Sequence, residues 1–117
     1  MIFRIKASLL NKRFDTRNEK ALQIEMFEVF EKAFPGLVLK EHYLSDRDII
    51  DFFFPGTGTG IEVKIKGEKR SIFKQLQRYA AFDDIKEILL ITSKAMALPD
   101  SINNKPVKYY NISQAWL

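Results

Sequence analysis

Residues 48–66, DIIDFFFPGTGTGIEVKIK, contain two apolar segments separated by a glycine-rich turn. Residues 48–54 and 61–66 have the length and the apolar, β-branched or aromatic content that are typical of strands. Residues 55–60 carry the proline and glycines that are typical of a loop. Upstream, residues 37–44 also predict a strand, and a turn-like Ser-Asp-Arg separates it from residues 48–54. The sequence therefore predicts an antiparallel meander of three strands.

Two helical segments flank this meander. Residues 17–34 place apolar side chains at the 3.6-residue period of a helix, with Pro-Gly after it as a stop signal and Thr16 or Asn18 as a possible N-cap. A second helix is predicted from about Ser71, as its cap, to Phe82. The chain therefore places one helix before the meander and one after it.

Three more segments complete the predicted order. Residues 87–92, EILLIT, are continuously apolar, as is typical of a strand that is covered on both faces. Residues 107–112 predict a last strand, and residues 1–9 alternate apolar and polar side chains in the manner of another. The resulting α-β-β-β-α-β order predicts an α/β fold with a mixed sheet covered by helices. With 117 residues, the chain is expected to form a single domain over residues 1–117. Trp116 and the pair Tyr109-Tyr110 are expected to be packing residues.

The charge is basic and unevenly distributed. The formal net charge is +4, and residues 64–78 carry one acid, Glu68, against a set of basic residues. That set is Lys64, Lys66, Lys69, Arg70, Lys74 and Arg78. Such clusters suit a polyanionic partner, because each neutralised phosphate releases counterions, although a solvated basic surface has the same composition.

Composition also excludes several classes of site. The chain has no cysteine, which excludes disulfides and cysteine-based zinc or iron–sulfur sites. No stretch approaches the roughly 20 apolar residues of a membrane helix, so no membrane association is expected. The first residues lack the apolar core of a secretory signal, and a cytoplasmic location is expected.

The residues suited to chemistry lie in the meander. Side chains alternate along a strand, so Glu62 and Lys64 share one face while Ile61, Val63 and Ile65 share the other. If the two strands pair antiparallel around residues 54–61, Asp51 lies toward the same end as Glu62 and Lys64. Two adjacent carboxylates repel unless a cation lies between them, and Mg²⁺ binds through one or two carboxylates, water and phosphate. A nearby lysine can then steady the attacking water or the charge on phosphorus.

Ordinary structural roles compete with this interpretation. A Glu-x-Lys sequence on a strand is usually a cross-strand ion pair. Asp48 is the alternative aspartate, and the alternation rule assigns it to the same face as Ile50, Phe52 and Phe54, which favours Asp51. A carboxylate within the apolar sequence IIDFFF also requires a cation or hydrogen bonds if it is buried.

Asp51 in an apolar strand, a glycine-rich turn and Ile61-Glu62-Val63-Lys64 together resemble the core motif of the PD-(D/E)XK nuclease superfamily. The resemblance covers roughly residues 17–92 and departs at one position, where Ile50 replaces the proline before the aspartate. It implies a restriction-endonuclease-like fold, with a mixed central sheet flanked by helices in the order αβββαβ. It also implies that Asp51, Glu62 and the Val63 carbonyl bind Mg²⁺, for which Mn²⁺ substitutes.

The resemblance implies further site residues on the two helices. Gln75 and Tyr79 look like the QxxxY motif of RecB-like nucleases, in which the pair contacts nucleic acid, although Tyr79 could instead pack in the core. Members of the superfamily often have an acid in the first helix. At about 100° per residue, Glu19 lies inside the apolar stripe of that helix, whereas Glu25 lies at its border and Glu28 on the far side. Glu19 is therefore the expected third metal-site acid.

The sequence thus predicts a metal-dependent deoxyribonuclease with Asp51, Glu62 and Lys64 as its catalytic residues. Lys66, Lys74 and Arg78 join Gln75 and Tyr79 as the expected DNA-binding residues. The partners expected are DNA and either a second copy of the chain or a larger repair or recombination complex. The alternative is a nucleic-acid-binding module, or a subunit of such a complex, that keeps the fold without catalysis.

Overall fold

A computed structural model describes residues 1–113, which form three helices and six strands. The helices are α1 (Ile2–Leu9), α2 (Glu19–Ala33) and α3 (Lys69–Ala80). The strands are β1 (Leu39–Tyr43), β2 (Ile49–Phe54), β3 (Thr59–Lys64), β4 (Glu87–Thr92), β5 (Ser101–Ile102) and β6 (Lys105–Asn111). Trp116, which was expected to be a packing residue, lies outside the described residues.

The strands form one mixed sheet in the order β1-β2-β3-β4-β6-β5. The predicted meander is confirmed, since β1 pairs antiparallel with β2, and β2 with β3. Strand β4 then pairs parallel with β3 and with β6. The parallel β3–β4 pair needs a crossover connection, and α3 supplies it. The predicted α/β architecture with a mixed sheet flanked by helices is confirmed.

Helices cover the sheet on both faces. On one face, α1 and α2 pack through Ile5, Leu22 and Phe30 against side chains that include Ile61 and Val63 of β3. On the other face, α3 packs through Ile72, Leu76 and Tyr79 against a second set of sheet side chains. Strand β4 contributes to both clusters, which confirms that it is covered on both faces.

The predicted strand over residues 1–9 is wrong, because Ile2–Leu9 forms helix α1. Ile2, Ile5 and Leu9 are buried at helical spacing, whereas Phe3 is 83% exposed. The segment fits both periods, because Met1, Phe3, Ile5, Ala7 and Leu9 recur at a period of 2 while Ile2, Ile5 and Leu9 recur at helical spacing. Burial against α2 and the sheet decides in favour of the helix.

The ends of the other elements mostly follow the predictions. Asn18 caps α2, with its side chain accepting the Ala21 N–H at 3.1 Å. The predicted cap at Ser71 is wrong: α3 begins at Lys69, and its N-cap residue, Glu68, makes no side-chain capping bond. Strand β5, which was not predicted, forms a short hairpin with β6. Among residues 1–113, no helix is long and apolar enough to cross a membrane.

Candidate active site

The predicted site lies where β2 and β3 separate. Their ladder runs from the Phe54–Thr59 pair to the Phe52–Ile61 pair. The next opposed residues are Asp51 and Glu62, and there side-chain carboxylates, in place of backbone carbonyls, accept the backbone N–H groups. This end of the β2–β3 pair is called the fork below, and it is defined by Asp51, Glu62 and Val63.

Carboxylates occupy the backbone donors at the fork. The Val63 N–H donates to Asp51 Oδ2 at 2.8 Å, and the Asp51 N–H donates to Glu62 Oε1 at 3.3 Å. Two residues beyond Val63, just past the end of β3, the Ile65 N–H donates to Glu19 Oε1 at 2.9 Å. The carboxylates of Asp51 and Glu19 therefore bond to backbone N–H groups two residues apart, at Val63 and Ile65, while that of Glu62 bonds to the facing strand β2.

The alternation of β2 side chains between the two faces of the sheet is interrupted at Asp51. Ile50 packs in the cluster under α3, whereas Phe52 and Phe54 pack in the cluster under α1 and α2. Asp51 faces Glu41 of β1, which has a left-handed backbone with φ of 51°. The expectation that Asp48 shares a face with Ile50, Phe52 and Phe54 is therefore wrong, because the strand changes face within that run. This interruption leaves the Asp51 carboxylate directed at β3.

Glu62 and Lys64 lie on the same face of β3, as predicted. The Lys64 ammonium is 3.5 Å from Glu62 Oε2, and the lysine side chain is 27% exposed whereas that of Glu62 is 3% exposed. The Lys64 side chain therefore extends from the buried Glu62 carboxylate toward solvent. A lysine in that position can reach a phosphate that approaches the fork from outside.

Burial raises the proton affinity of both fork carboxylates. Burial, followed by the charge of Asp51, raises the pKa of Glu62 to about 8. Burial also raises the pKa of Asp51, against the hydrogen bond from the Val63 N–H that lowers it. Such shifts mark a pair of carboxylates that lacks sufficient positive charge nearby, and Lys64 alone does not supply it.

Gln75 and Tyr79 reach the fork from α3. The Tyr79 hydroxyl lies 2.9 Å from the Ile49 carbonyl oxygen and 3.3 Å from Glu62 Oε2, and it accepts the Gln75 side-chain N–H at 2.8 Å. Tyr79 is only 1% exposed, and burial raises the pKa of its hydroxyl. The pair therefore holds Glu62 from within the protein, and a contact with nucleic acid stays a prediction.

The remaining predicted residues lie around this centre. Lys66, Lys74 and Arg78 are exposed, and Arg78 forms an ion pair with Asp48 at 3.2 Å. Asp48 also accepts a hydrogen bond from Ser45 at 3.3 Å, so its carboxylate has ordinary partners. Asp51 forms no ion pair with any cation of residues 1–113 and is the more unusual of the two aspartates.

The donor set at the fork suits a hard divalent cation. The N–H and the carbonyl of one strand residue point to the same side, so the Val63 carbonyl also faces β2. Two carboxylates and a carbonyl oxygen match the ligands of Mg²⁺, which fills its other positions with water or phosphate. Among residues 1–113, no three histidine, aspartate or glutamate side chains converge closely enough to hold a metal by themselves. Glu19 is therefore placed beside the carboxylate pair and is not a third convergent ligand.

Sequence reasoning missed Lys20 and Glu41. Their side chains form an ion pair at 3.0 Å, and the charge of Asp51 helps to raise the pKa of Lys20 after the larger effect of Glu41. The position of Lys20 next to Glu19 in the first turn of α2 was the available signal. Nothing in the sequence indicated the left-handed backbone of Glu41.

Comparisons with known proteins give no further assignment. Neither models of protein families nor curated proteins match the sequence, and no solved structure matches the fold. The functional argument therefore rests on the geometry of the fork.

Proposed function

We propose that this chain is a Mg²⁺-dependent deoxyribonuclease of the PD-(D/E)XK superfamily, with a restriction-endonuclease-like fold. The observation that carries the proposal is the pairing of half-buried Asp51 with buried Glu62, with the Lys64 ammonium 3.5 Å from Glu62. Burying two mutually repelling carboxylates is costly unless something binds them. The αβββαβ order of α2, β1–β3, α3 and β4 supports the same family.

Each residue of the fork has a proposed part in phosphodiester hydrolysis. Asp51, Glu62 and the Val63 carbonyl hold the cation, and Glu19 assists from the start of α2. The bound cation supplies Lewis-acid polarisation of the phosphate and a water of lowered pKa. Lys64 positions the attacking water and stabilises the negative charge that develops on the phosphate oxygens. Tyr79 and Gln75 keep the Glu62 carboxylate oriented toward the cation.

The proposed DNA path follows the basic side chains outside the fork. Lys66 lies two residues beyond Lys64, just past the end of β3, and Lys74 and Arg78 lie on the exposed side of α3. These residues would contact phosphates without reading bases, so they would contribute affinity and not sequence preference. Cutting both strands of a duplex would require a second copy of the chain or a partner in a repair or recombination complex.

A cleavage assay tests the proposal. Purified protein is incubated with single-stranded, duplex, flap and four-way DNA, each with Mg²⁺, with Mn²⁺ or with EDTA. We expect cleavage of at least one substrate with either cation and none in EDTA, because the carboxylates need a hard cation to act. Undiminished cutting in EDTA would refute the metal mechanism. Tight binding with no cutting under any condition would favour the non-catalytic binding module.

A further inference from the structure

Two depressions flank the fork, and they differ in chemistry. The first, which we name the α2 groove, has a volume of about 420 Å³ and is lined by Lys20, Gln23, Ile24, Phe27, Lys40 and Asp51. The second, which we name the basic pocket, has a volume of about 390 Å³ and is lined by residues that include Arg17, Glu19, Lys64 and Lys66. Asp51 lines the first and Lys64 the second, so both are continuous with the proposed catalytic centre.

The wall of the α2 groove is apolar and includes an aromatic ring. Ile24 is 63% exposed, although it lies on a helix whose other aliphatic residues are largely covered. Phe27 lies parallel to Phe52, with ring centroids 6.3 Å apart and an interplanar angle of 5°. The Lys40 ammonium lies 5.0 Å from the centre of the Phe27 ring. A flat apolar ligand can therefore contact Ile24 and Phe27 beside a movable cation.

The two depressions differ in charge, so they suit different parts of a nucleotide. The basic pocket has Arg17, Lys64 and Lys66 against Glu19, and although Asp15 also pairs with Arg17 at 2.9 Å, the balance stays positive and suits phosphate. The α2 groove has Lys20 and Lys40 against Glu28, Glu41 and Asp51, and this balance disfavours phosphate. The carboxylate of Glu41 and the amide of Gln23 can instead accept hydrogen bonds from the exocyclic amino groups of bases.

We propose that the α2 groove receives an unpaired nucleobase of the substrate strand beside the scissile phosphate, while the basic pocket receives an adjoining phosphate. The substrate would then be DNA with a single-stranded segment at the point of cleavage. In a continuous duplex the base faces are stacked inside the helix and cannot enter the groove without being flipped out, whereas an unpaired base enters with little loss of stacking. This inference rests on the proposed function, because it takes the fork as the reacting centre.

An abasic scan tests the groove directly. Short single-stranded oligonucleotides carry one abasic site at each position in turn, and their affinities are measured with Ca²⁺ replacing Mg²⁺ to slow turnover. Removal of one base at one position should lower the affinity about tenfold, since contacts of a base with an aromatic wall are typically worth that much or more. Removal of the bases elsewhere should have a much smaller effect.

Two variants separate the groove from general DNA binding. Ile24→Ser should abolish the abasic effect at the sensitive position and leave duplex affinity unchanged. Leu10→Ser is the matched control, because Leu10 is also an exposed aliphatic residue, at 52%, but lies at the end of α1, outside the residues that line the groove. It should leave the abasic profile unchanged. Thermal melts of both variants verify that each is folded.

The outcomes distinguish this inference from the nuclease proposal. A flat abasic scan, or an equal loss of single-stranded and duplex affinity in Ile24→Ser, would overturn the groove even if the protein cuts DNA. A position-dependent scan that Ile24→Ser abolishes would support the groove even if no cleavage occurs with Mg²⁺ or Mn²⁺. Failure to bind any of the oligonucleotides would overturn both.

Discussion

Both ends of the β2–β3 pair hold polar groups away from solvent, but the partners of those groups differ between the two ends. At the hairpin end, Thr59 is fully buried, and its hydroxyl bonds to the Thr57 hydroxyl at 2.8 Å and to the Glu87 carboxylate. At the fork, two carboxylates are held together, with a single lysine contacting one of them. At the hairpin end, the buried Thr59 hydroxyl therefore has two hydrogen-bond partners, a threonine hydroxyl and one carboxylate. The fork keeps an electrostatic imbalance that a cation would relieve.

The backbone reflects the same difference. The hairpin is closed by N–H groups of Thr57 and Gly58 that donate to the Phe54 carbonyl at 3.2 and 2.9 Å. The fork is open because carboxylates occupy donors that would otherwise continue the ladder. Stability is therefore expected to depend on the hairpin end, and catalysis on the fork. Five substitutions or conditions test this division.

Asp51→Asn should have the largest effect on cleavage. The amide keeps the size of the side chain but loses the anionic ligand, and cleavage should fall about a thousandfold, as expected when several kcal/mol of metal-dependent stabilisation are lost. Single-turnover cleavage rates with Mg²⁺ measure this. Asp48→Asn is the matched control, because Asp48 forms an ion pair with exposed Arg78, and it should retain nearly full activity. Equal losses in the two variants would remove the distinction between the aspartates.

Lys64→Ala should lower the cleavage rate about a hundredfold, corresponding to roughly 3 kcal/mol of transition-state stabilisation. DNA affinity at moderate salt should change little, because many other basic side chains remain. Rates and binding constants are compared with those of Lys66→Ala, because Lys66 lies only two residues from Lys64, just past the end of β3, and is exposed. The control should weaken binding and cutting together and by less. A Lys64→Ala enzyme within a few fold of the wild type would show that Lys64 is not catalytic.

Tyr79→Phe should lower kcat/KM by about 1–3 kcal/mol of transition-state binding, or roughly fivefold to a hundredfold, through the lost contact with Glu62. Gln75→Ala, which removes the donor to that hydroxyl, should act in the same direction and less strongly. The control is Tyr110→Phe, because the Tyr110 hydroxyl is buried with no hydrogen-bond partner among residues 1–113. That variant should be as active and as stable as the wild type. Wild-type activity in both α3 variants would withdraw the RecB-like resemblance and leave the nuclease proposal standing.

Gly58→Ala should reduce stability and leave the chemistry of the fork intact. Gly58 has φ of 70°, and an added Cβ would lie 2.9 Å from Lys86 Cβ and 3.0 Å from the Asp84 carbonyl oxygen. We expect a loss of about 1–2 kcal/mol in the free energy of unfolding, measured by urea denaturation. The cleavage rate of the folded fraction should be unchanged. A selective loss of rate with unchanged stability would contradict the division between the two ends.

The last test concerns pH. Because the pKa of Glu62 is raised from 4.5 to about 8, the folded state keeps a proton that the unfolded state releases between these values. In EDTA, the free energy of unfolding should therefore fall as the pH rises through this window, by at most about 1.4 kcal/mol per pH unit. Glu62→Gln should flatten the dependence. Stability that rises with pH over this range in the wild type would contradict the buried protonated carboxyl.

Much of the site could be predicted from local patterns. The glycine-rich turn between two apolar strands predicts a hairpin, and a hairpin brings Asp51 to the same end of the sheet as Glu62 and Lys64. The register that sets Asp51 opposite Glu62 came from the structure, in which Phe54 pairs with Thr59. The helical period likewise places Glu19 on the inward side of α2 and brings Gln75 and Tyr79 to one face of α3. These placements depend only on the periods of strands and helices, which the order of residues specifies.

Tertiary structure decided what local patterns leave ambiguous. Residues 1–9 satisfy two periods equally, and only contact with α2 and the sheet selects the helix. The face on which a strand residue lies also depends on irregularities of the sheet: opposite the left-handed Glu41, Ile50 and Phe52 lie on opposite sides. The sequence by itself determined which residues could carry the chemistry, because composition and spacing are local. The burial that perturbs Glu62 and the groove beside Asp51 came only from the tertiary structure, because both depend on side chains from elements far apart in the chain.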